Sequence, residues 1–412
     1  MRDGTSDASS TRSSRKRRAT GSDIANTKRK ASSDEDDKHT LFTKWSQDRG
    51  VQIHNVKPAS LSGRGIGLVT TGKIKKNERL LFVPEKAMFK PESEATASKG
   101  TTVPMSPQAQ LTLSIMNECS NPASQYQLWR STWPTPSDFK ASMPLFWRRE
   151  LQAHLPPSVQ QPLDRQKADY QKDKTALQQA LSSPDFDYFW AIVNSRSFHF
   201  KPAGSRPGHM VLCPFVDYMN HGASGQDTVN VRQTPKGYEV TADRDYEAGE
   251  EILATYGPHS NDKLLVHYGF IIDTRPGEPS DDDIRLDHIL LPEMSPETKR
   301  ALQDVGFLGN YALVPATNEL CFKTQVAVRA ILNTANEWEY YIANGEDLAA
   351  DQTKRVEEWV RPKLLALKAF AREKIVEVEA LFVGEDEAEA VRLLKGRWWQ
   401  VVHAVDAYMG RS

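Results

Sequence analysis

Hydrophobic and polar residues alternate along the early part of the chain as they do in short strands. Apolar side chains at every second position, separated by turn residues, predict small antiparallel strands over residues 51–90. Strand-like composition returns at 211–215 and continues to Ile272. Between these parts, residues 106–190 show the spacing of amphipathic helices, broken by prolines. A helical segment between two β-rich segments predicts an insertion within one domain.

Helical patterns dominate the chain after residue 281. Three of them contain few helix breakers and lie at residues 325–341, 352–381 and 387–408. A shorter amphipathic pattern at 41–49 precedes the first strands. Together these patterns predict an α+β fold, in which small antiparallel β-sheets are followed by an all-α domain.

The patterns divide the chain into three parts. We predict that residues 39–280 form the domain of small sheets, with its helical insertion at about 106–190, and that residues 281–412 form the all-α domain. Residues 1–38 are rich in Ser, Thr, Lys, Arg and Asp and almost lack large apolar side chains. Burial cannot offset the chain entropy of such a segment, so we expect a disordered tail.

The predicted tail contains two basic clusters. They occupy residues 15–18 (Arg-Lys-Arg-Arg) and 28–30 (Lys-Arg-Lys), about ten residues apart. This arrangement is typical of a bipartite nuclear import signal, and the alternative is a solvated basic tail. We therefore expect the protein in the nucleus, with the cytoplasm as a second location.

Overall composition limits the classes of function. A chain of 412 residues that is 39% hydrophobic can supply cores for two or three domains. Its net charge of −1 argues against a whole-protein electrostatic grip on nucleic acid or membrane. Three widely separated cysteines form neither a metal-ligand spacing nor a disulfide framework. Because no apolar run is long enough for a signal peptide or a membrane span, we expect a soluble protein of a reducing, intracellular compartment.

Two segments present candidate ligand-binding residues. Gly65 and Gly67 lie in a glycine-rich run where the backbone can turn sharply or approach a ligand, although an ordinary β-turn has the same composition. The run does not open a helix, so neither a dinucleotide fingerprint nor a phosphate loop is satisfied. Arg196 follows an apolar helical pattern, and its guanidinium can bind a carboxylate in a forked geometry. The alternative is a surface arginine at a helix end.

Further candidates lie within the second β-rich segment. Asp217 and His221 are four residues apart, so we considered a metal or hydrolytic site. No third ligand or nucleophile stands at a recognisable spacing, which disfavours both. Tyr256 ends a predicted strand and Tyr268 ends a predicted helix, and each has the alternative of a core tyrosine with a satisfied hydroxyl.

As an ordered set, GRGIGLV, SRSFHF, PFVDYMNH, EILATYG and HYGF resemble one branch of the SET-domain protein lysine methyltransferases. That branch contains the Rubisco large-subunit lysine methyltransferase and its fungal and animal relatives. The resemblance covers about residues 40–412, and it implies an interrupted SET domain followed by a helical substrate-binding domain. No cysteine-rich zinc segment follows the SET-like part, as in this branch, so we expect no metal.

The resemblance also implies roles for individual residues. The methyl donor would be S-adenosylmethionine, held by Arg64, Gly65, Ile66, Arg196, Asn220, His221 and Tyr256. Tyr256 matches the catalytic tyrosine of the family. The residues expected to line or neighbour a lysine channel are Phe198, Phe200, Asp217 and Tyr268.

The implied activity is methyl transfer to the ε-amine of a lysine in a protein substrate, which we expect to be ribosomal, translational or nuclear. Two alternatives stay open: a non-catalytic nuclear adaptor with a SET fold, and a protein-histidine methyltransferase. The aromatic side chains of Phe198 and Tyr268 favour lysine over histidine, because they suit an aliphatic stem and an ammonium group. Trp133, Phe146 and Trp147 are expected to pack within the insertion, with the border of a substrate groove as the alternative.

Overall fold

The computed structural model of the chain describes residues 37–91, 105–178, 185–202, 208–273, 275–381 and 384–410. Both basic clusters lie outside these residues, and so does the predicted tail except for its last two positions. Residues 37 and 38 belong to the first helix, α1 (37–48), so the ordered chain begins before Leu41.

Small sheets form the first part of the described chain. Their strands are β1 (Gln52–Ile53), β2 (Val56–Leu61), β3 (Gly65–Thr70), β4 (Arg79–Pro84), β5 (Ser197–Phe200), β6 (His209–Leu212), β7 (Asn220–His221), β8 (Asn230–Thr234), β9 (Gly237–Thr241) and β10 (Glu251–Ala254). The strand orders are β1-β4-β9-β8, β2-β3-β10-β7 and β5-β6.

One of these sheets is mixed, which corrects the expectation of purely antiparallel sheets. Strand β7 runs parallel to β10, with Asn220 opposite Leu253 and His221 opposite Ala254. Parallel neighbours need a long connection, and the β8–β9 hairpin supplies it here. The pairing brings the Asn-His pair to the end of the strand that precedes Tyr256.

Helices interrupt the sheets where the insertion was predicted. They are α2 (Pro107–Cys119), α3 (Gln127–Arg130), α4 (Pro136–Ser142), α5 (Arg149–Gln152), α6 (Pro157–Gln178) and α7 (Phe186–Arg196). Three of them begin with proline, whose fixed φ and missing N–H suit a first helical position. Thr135 caps α4 through a reciprocal pair of hydrogen bonds with Asp138.

Aromatic rings join α1 and the insertion to the sheets in one core. The ring of Phe42 lies 6.1 Å from the rings of both Trp129 and Phe215, and all three side chains are fully buried. Burial of each such ring contributes about 1.5–3 kcal/mol or more. The first helix is therefore an integral part of the main core.

The chain after β10 is mainly helical. Its helices are α8 (Asn261–Tyr268), α9 (Asp287–Leu290), α10 (Pro296–Asp304), α11 (Phe322–Leu332), α12 (Ala335–Asn344), α13 (Gln352–Glu379) and α14 (Ala388–Met409). It also contains an antiparallel sheet of β11 (Ile284–Arg285), β12 (Ala312–Val314) and β13 (Glu319–Leu320). The expectation of an all-α domain was therefore wrong, because strands of two or three residues are too short to show alternation in the sequence.

The expectation of one continuous helix over residues 325–341 was also wrong. Helix α11 ends at Leu332 and α12 begins at Ala335. The hydroxyl of Thr334 accepts the N–H of Glu337, and the Glu337 carboxylate accepts the N–H of Thr334. This capping box starts a new helix inside a continuous helical pattern.

Besides the main core and a second core within residues 284–408, a third hydrophobic cluster packs the insertion and α8 against the last two helices. Its buried members are Trp147, Leu151, Leu155, Val159, Leu163, Leu265, Val266, Val378, Ala390, Leu393 and Leu394. The indole of Trp398 in α14 donates to the carbonyl of His154 at 2.8 Å. Packing therefore crosses the domain boundary near residue 280, which remains a prediction.

Candidate active site

A cavity of about 760 Å³ opens between the small sheets, the insertion and α8. Such a volume is typical of a pocket for a small molecule or cofactor. Residues of the glycine-rich strand β3, the end of α7, the turn before β7 and the end of α8 all reach it. The candidate segments, which are far apart in the sequence, therefore meet at one place.

Aromatic rings form one wall of the cavity. The ring of Tyr256 lies 5.1 Å from that of Tyr268 and 6.4 Å from that of Phe270. The Tyr256 hydroxyl donates to the carbonyl of Met219 at 2.7 Å. Burial raises the pKa of Tyr256 to about 12, so this phenol is neutral at physiological pH. Its oxygen lone pairs remain able to accept a hydrogen bond from a ligand.

Arg196 supplies a cation to the same cavity. It is the last residue of α7, and its Nη1 donates to the carbonyl of Asp217 at 2.8 Å. Its Nε is buried and has no hydrogen-bond partner. A buried charged donor without a partner costs about 1–3 kcal/mol or more. An anionic ligand group in the cavity would supply the missing acceptor.

Asp217 places a carboxyl group next to this arginine. Its Oδ2 accepts from the indole of Trp129 at 3.2 Å. Burial raises the pKa of Asp217 to about 6, although the charge of Arg196 acts in the opposite direction. Phe215, two residues before Asp217, has a φ of 72°. This backbone conformation is strained for a residue with a bulky side chain and costs about 1–3 kcal/mol. Packing of its buried ring holds this backbone, which turns Asp217 toward the cavity.

The Asn-His pair occupies the parallel strand β7. Asn220 lines the cavity, and its Nδ2 donates to Glu251 Oε1 at 2.9 Å. A Cβ at Gly67 would lie 2.8 Å from that Nδ2, so any larger residue would force the Asn220 side chain to shift. Gly65 has a φ of 72° and open space where a Cβ would point, so its backbone is accessible to a ligand. Close packing thus accounts for Gly67, whereas a positive φ and an open backbone account for Gly65.

His221 lies behind the wall rather than on it. It is buried, its ring stacks on that of Tyr256 at 5.1 Å, and its Nδ1 accepts the Tyr256 N–H at 3.2 Å. Burial lowers the pKa of His221, so the ring is neutral and carries its proton on Nε2. That Nε2 is buried without a hydrogen-bond partner. The ring supports Tyr256 and is not one of the cavity-lining groups.

Most predicted site residues do line the cavity: Arg64, Gly65, Ile66, Arg196, Phe198, Asp217, Asn220, Tyr256 and Tyr268. Phe200, which was expected to line or neighbour a lysine channel, does not line the cavity. Its side chain is fully buried and packs against Tyr238, with ring centroids 5.9 Å apart. Phe198 also packs on Tyr238 but lies at the cavity end of β5.

Several cavity residues escaped the sequence analysis. Lys38 and His39 come from α1, Trp133 and Asp138 from the insertion, and Phe270 from the segment after α8. Two of these carried a signal: Trp133 was expected in the insertion, with the border of a substrate groove as the alternative, and Phe270 ends the HYGF motif. Of the other insertion aromatics, Trp147 packs in the third hydrophobic cluster and the ring of Phe146 meets that of Tyr170.

The residues that the structure describes hold neither a metal-binding cluster nor a membrane-spanning helix. Within them, no group of three or more His, Cys, Asp or Glu side chains is arranged to hold a metal ion. None of the helices in that part of the chain combines the length and apolar character that crossing a membrane requires. Cys119, Cys213 and Cys321 are free thiols.

Comparison with known proteins identifies the architecture around the cavity. The family model described as SET domain matches residues 65–257. The chain contains a SET domain. The matched range includes Arg196, Asn220 and Tyr256, so the SET domain supplies both the cationic and the aromatic side of the cavity.

Curated proteins with similar SET domains come from fungi and animals. The chain is 29% identical over 194 residues to the ribosomal lysine N-methyltransferase set11 of Schizosaccharomyces pombe, covering 47% of this chain and 46% of that protein. It is 24% identical over 324 residues to SET domain-containing protein 4 of Mus musculus, covering 68% and 72%. It is 26% identical over 252 residues to the actin-histidine N-methyltransferase of Canis lupus familiaris, covering 56% and 42%. The chain thus spans less than half the length of set11.

Solved structures extend the likeness beyond the SET domain. The SET domain of LSMT bound to lysine and AdoHcy superposes with a TM-score of 0.57 at 18% identity, over 90% of this chain and 91% of that chain. Rubisco LSMT bound to AdoMet gives a TM-score of 0.56 at 17% identity and the same coverage. This likeness confirms the predicted fold class: an interrupted SET domain followed by helices.

Proposed function

We propose that this chain is an S-adenosylmethionine-dependent protein-lysine N-methyltransferase. The observation that carries the proposal is one cavity with a buried, unpartnered arginine N–H at one side and a neutral phenol among aromatic rings at another. The named activities of set11 and of the actin-histidine enzyme, both with similar SET domains, support methyl transfer to protein.

The residues of the cavity fit the methyl donor. Arg196 Nε offers a charged donor to its carboxylate, and the accessible backbone at Gly65 with the side chain of Asn220 offers polar contacts. Arg64 holds this wall together, since its Nη1 contacts Glu251 at 2.9 Å and its Nη2 donates to the His221 carbonyl at 3.2 Å. When bound, S-adenosylmethionine supplies an electrophilic methyl group on a sulfonium.

The aromatic wall fits a lysine side chain that must lose a proton. A free lysine amine, with a pKa of about 10.4, costs about 4.6 kcal/mol to deprotonate at pH 7. The rings of Phe198, Tyr268 and Phe270 exclude water, which lowers that cost. The Tyr256 O–H already donates a hydrogen bond to the Met219 carbonyl, so the phenol oxygen can accept an amine N–H and orient the nitrogen lone pair. Asp217, ionised above pH about 6, attracts the incoming ammonium.

Histidine methylation and a non-catalytic role are the competing proposals. The aromatic rings of Phe198 and Tyr268 favour lysine over histidine, because ring faces suit the aliphatic stem and the ammonium group of a lysine. A non-catalytic adaptor has no need for a buried arginine donor inside a cavity. Calorimetric titration with S-adenosylmethionine separates an adaptor from an enzyme, because an adaptor need not bind the methyl donor. We further propose a ribosomal, translational or nuclear protein as substrate, and import through the clusters at 15–18 and 28–30.

Tyr256→Phe tests the proposal. The assay follows transfer of labelled methyl from S-adenosylmethionine to purified ribosomal proteins by the full chain, with the product located by mass spectrometry. Loss of the group that orients the amine should reduce the rate about 10²- to 10³-fold while cofactor binding persists. Undiminished transfer by this variant contradicts the assignment, and a methylated imidazole in the product overturns the choice of lysine.

Tyr238→Phe is the matched control. Its hydroxyl also donates to a backbone carbonyl, that of His199, and burial likewise raises the pKa of Tyr238 to about 12. Tyr238 does not line the cavity. Both variants lose one such hydrogen bond, worth about 0.5–1.5 kcal/mol of stability. Only Tyr256→Phe should lose methyl transfer.

A further inference from the structure

Arg397 in α14 forms a buried ionic cluster with the helix that carries Tyr268. Its Nε donates to Asp262 Oδ1 at 2.7 Å, and its Nη1 donates to Asp282 Oδ2 at 2.7 Å. The three side chains are 1%, 5% and 4% exposed. Asp262 is the second residue of α8, so the cluster fixes the start of that helix to α14.

Gln400, one turn further along α14, fixes the other end of the same segment. Its Nε2 donates to the carbonyl of Ile272 at 2.8 Å, and its Oε1 accepts from Asn261 Nδ2 at 3.2 Å and from Arg397 Nη1 at 2.9 Å. The N–H of Ile272 in turn donates to Asn261 Oδ1 at 2.7 Å. Residues 261–272, the clamped segment, are thus held to α14 at both ends.

Two cavity walls lie between these attachment points. Tyr268 and Phe270 both line the cavity, and Tyr268 faces Tyr256. Gly269 joins them with a φ of 76°, a conformation that ends α8 and redirects the chain. Movement of either attachment would therefore shift both rings relative to Tyr256.

We propose that Arg397, with Gln400, is a positioning residue for the acceptor side of the cavity. A buried ion cluster is weak support for stability compared with apolar packing, and its best-attested use is to select one register. Here the selected register is that of the clamped segment. The proposal rests on the proposed function, because it assigns to α14 the placement of the rings that would surround the lysine amine.

Arg397→Gln is the main test, in the full-length protein, with Arg329→Gln as matched control. Arg329 is 3% exposed, against 1% for Arg397, and makes a two-pronged contact with Asp347 at 2.8 Å for both bonds. It makes no contact with the clamped segment. Amide hydrogen exchange of residues 261–272, calorimetric binding of S-adenosylmethionine, and the kcat and KM for ribosomal protein methylation are measured for each variant.

Arg397→Gln should accelerate exchange across residues 261–272 and lower kcat about 10- to 100-fold, since displacement of a positioning group by about 1 Å has that effect. Arg329→Gln should leave both at wild-type values. Gln400→Ala, which removes no charge, provides the test if Arg397→Gln does not fold, and it should change exchange and kcat in the same direction. Unchanged exchange in the clamped segment, or an equal loss of kcat in Arg329→Gln, overturns the proposal. If the wild-type protein transfers no methyl, the proposed function fails, while the exchange comparison still decides the positioning role.

Discussion

Replacement of Arg196 by methionine isolates the cationic side of the cavity. Arg196 has one satisfied bond, to the Asp217 carbonyl at 2.8 Å, and one buried N–H without a partner. Methionine keeps an unbranched apolar stem that reaches about as far as Nε, but it removes every donor. The substitution therefore separates the binding of an anionic ligand group from packing.

The expected loss of affinity follows from the single unsatisfied donor. A hydrogen bond from a charged group is worth about 1.5–3 kcal/mol, so loss of the Nε bond to a carboxylate should raise Kd about 10- to 150-fold. In the ligand-free protein, removal of an unpartnered donor offsets the lost bond to Asp217. We therefore expect weaker binding of S-adenosylmethionine with a small change in the free energy of unfolding.

Isothermal titration of the full chain with S-adenosylmethionine measures this loss, and thermal unfolding without ligand measures stability. Arg130→Met is the matched control. Arg130 is also half-buried and donates to one backbone carbonyl, that of Cys119 at 3.3 Å, but it does not line the cavity. Equal Kd values for the two variants would refute the role assigned to Arg196.

Two further predictions concern stability. Because burial raises the pKa of Asp217 from 3.8 to about 6, the folded state holds this proton more tightly than the unfolded chain does. The resulting stabilisation, about 3 kcal/mol, is present below pH about 4 and is lost as pH rises to about 6. Plots of the free energy of unfolding against pH should therefore differ in slope between wild type and Asp217→Asn only across that range. Thr334→Ala removes the capping box of α12 and should lower the free energy of unfolding by about 1 kcal/mol without changing the Kd for S-adenosylmethionine. A pH-independent difference in the first case, or weakened binding in the second, would contradict these readings.

The sequence predicted which segments meet at the cavity but not how deeply each side chain lies. Phe198 and Phe200 share one face of β5, and family resemblance alone assigned both to the channel. Phe200 lies two residues further along the strand, about 6–7 Å from Phe198. It is therefore buried away from the cavity, whereas Phe198 lines it. His221 was expected to hold the cofactor, but its ring stacks on that of Tyr256 and does not line the cavity.

Contacts between distant segments were the least predictable part. Nothing in the spacing of Lys38, Trp133 or Phe270 shows that they border the same space, since tertiary packing brings them together. The three-residue strand Ala312–Val314 is similarly too short for its pattern to be read. In contrast, the break at Thr334 had a local signature, because Glu337 stands three residues later.

The link between α14 and the start of α8 also sets an order of events during synthesis. Arg397 leaves the peptidyl transferase centre 135 residues after Asp262, which at about 5–20 residues per second is roughly 7–27 s. Once Phe270 has been added, early in that interval, the nascent chain contains every aromatic ring of the pocket but lacks the guanidinium of Arg397. A growing polypeptide therefore completes its pocket late, after the SET segment has been synthesised.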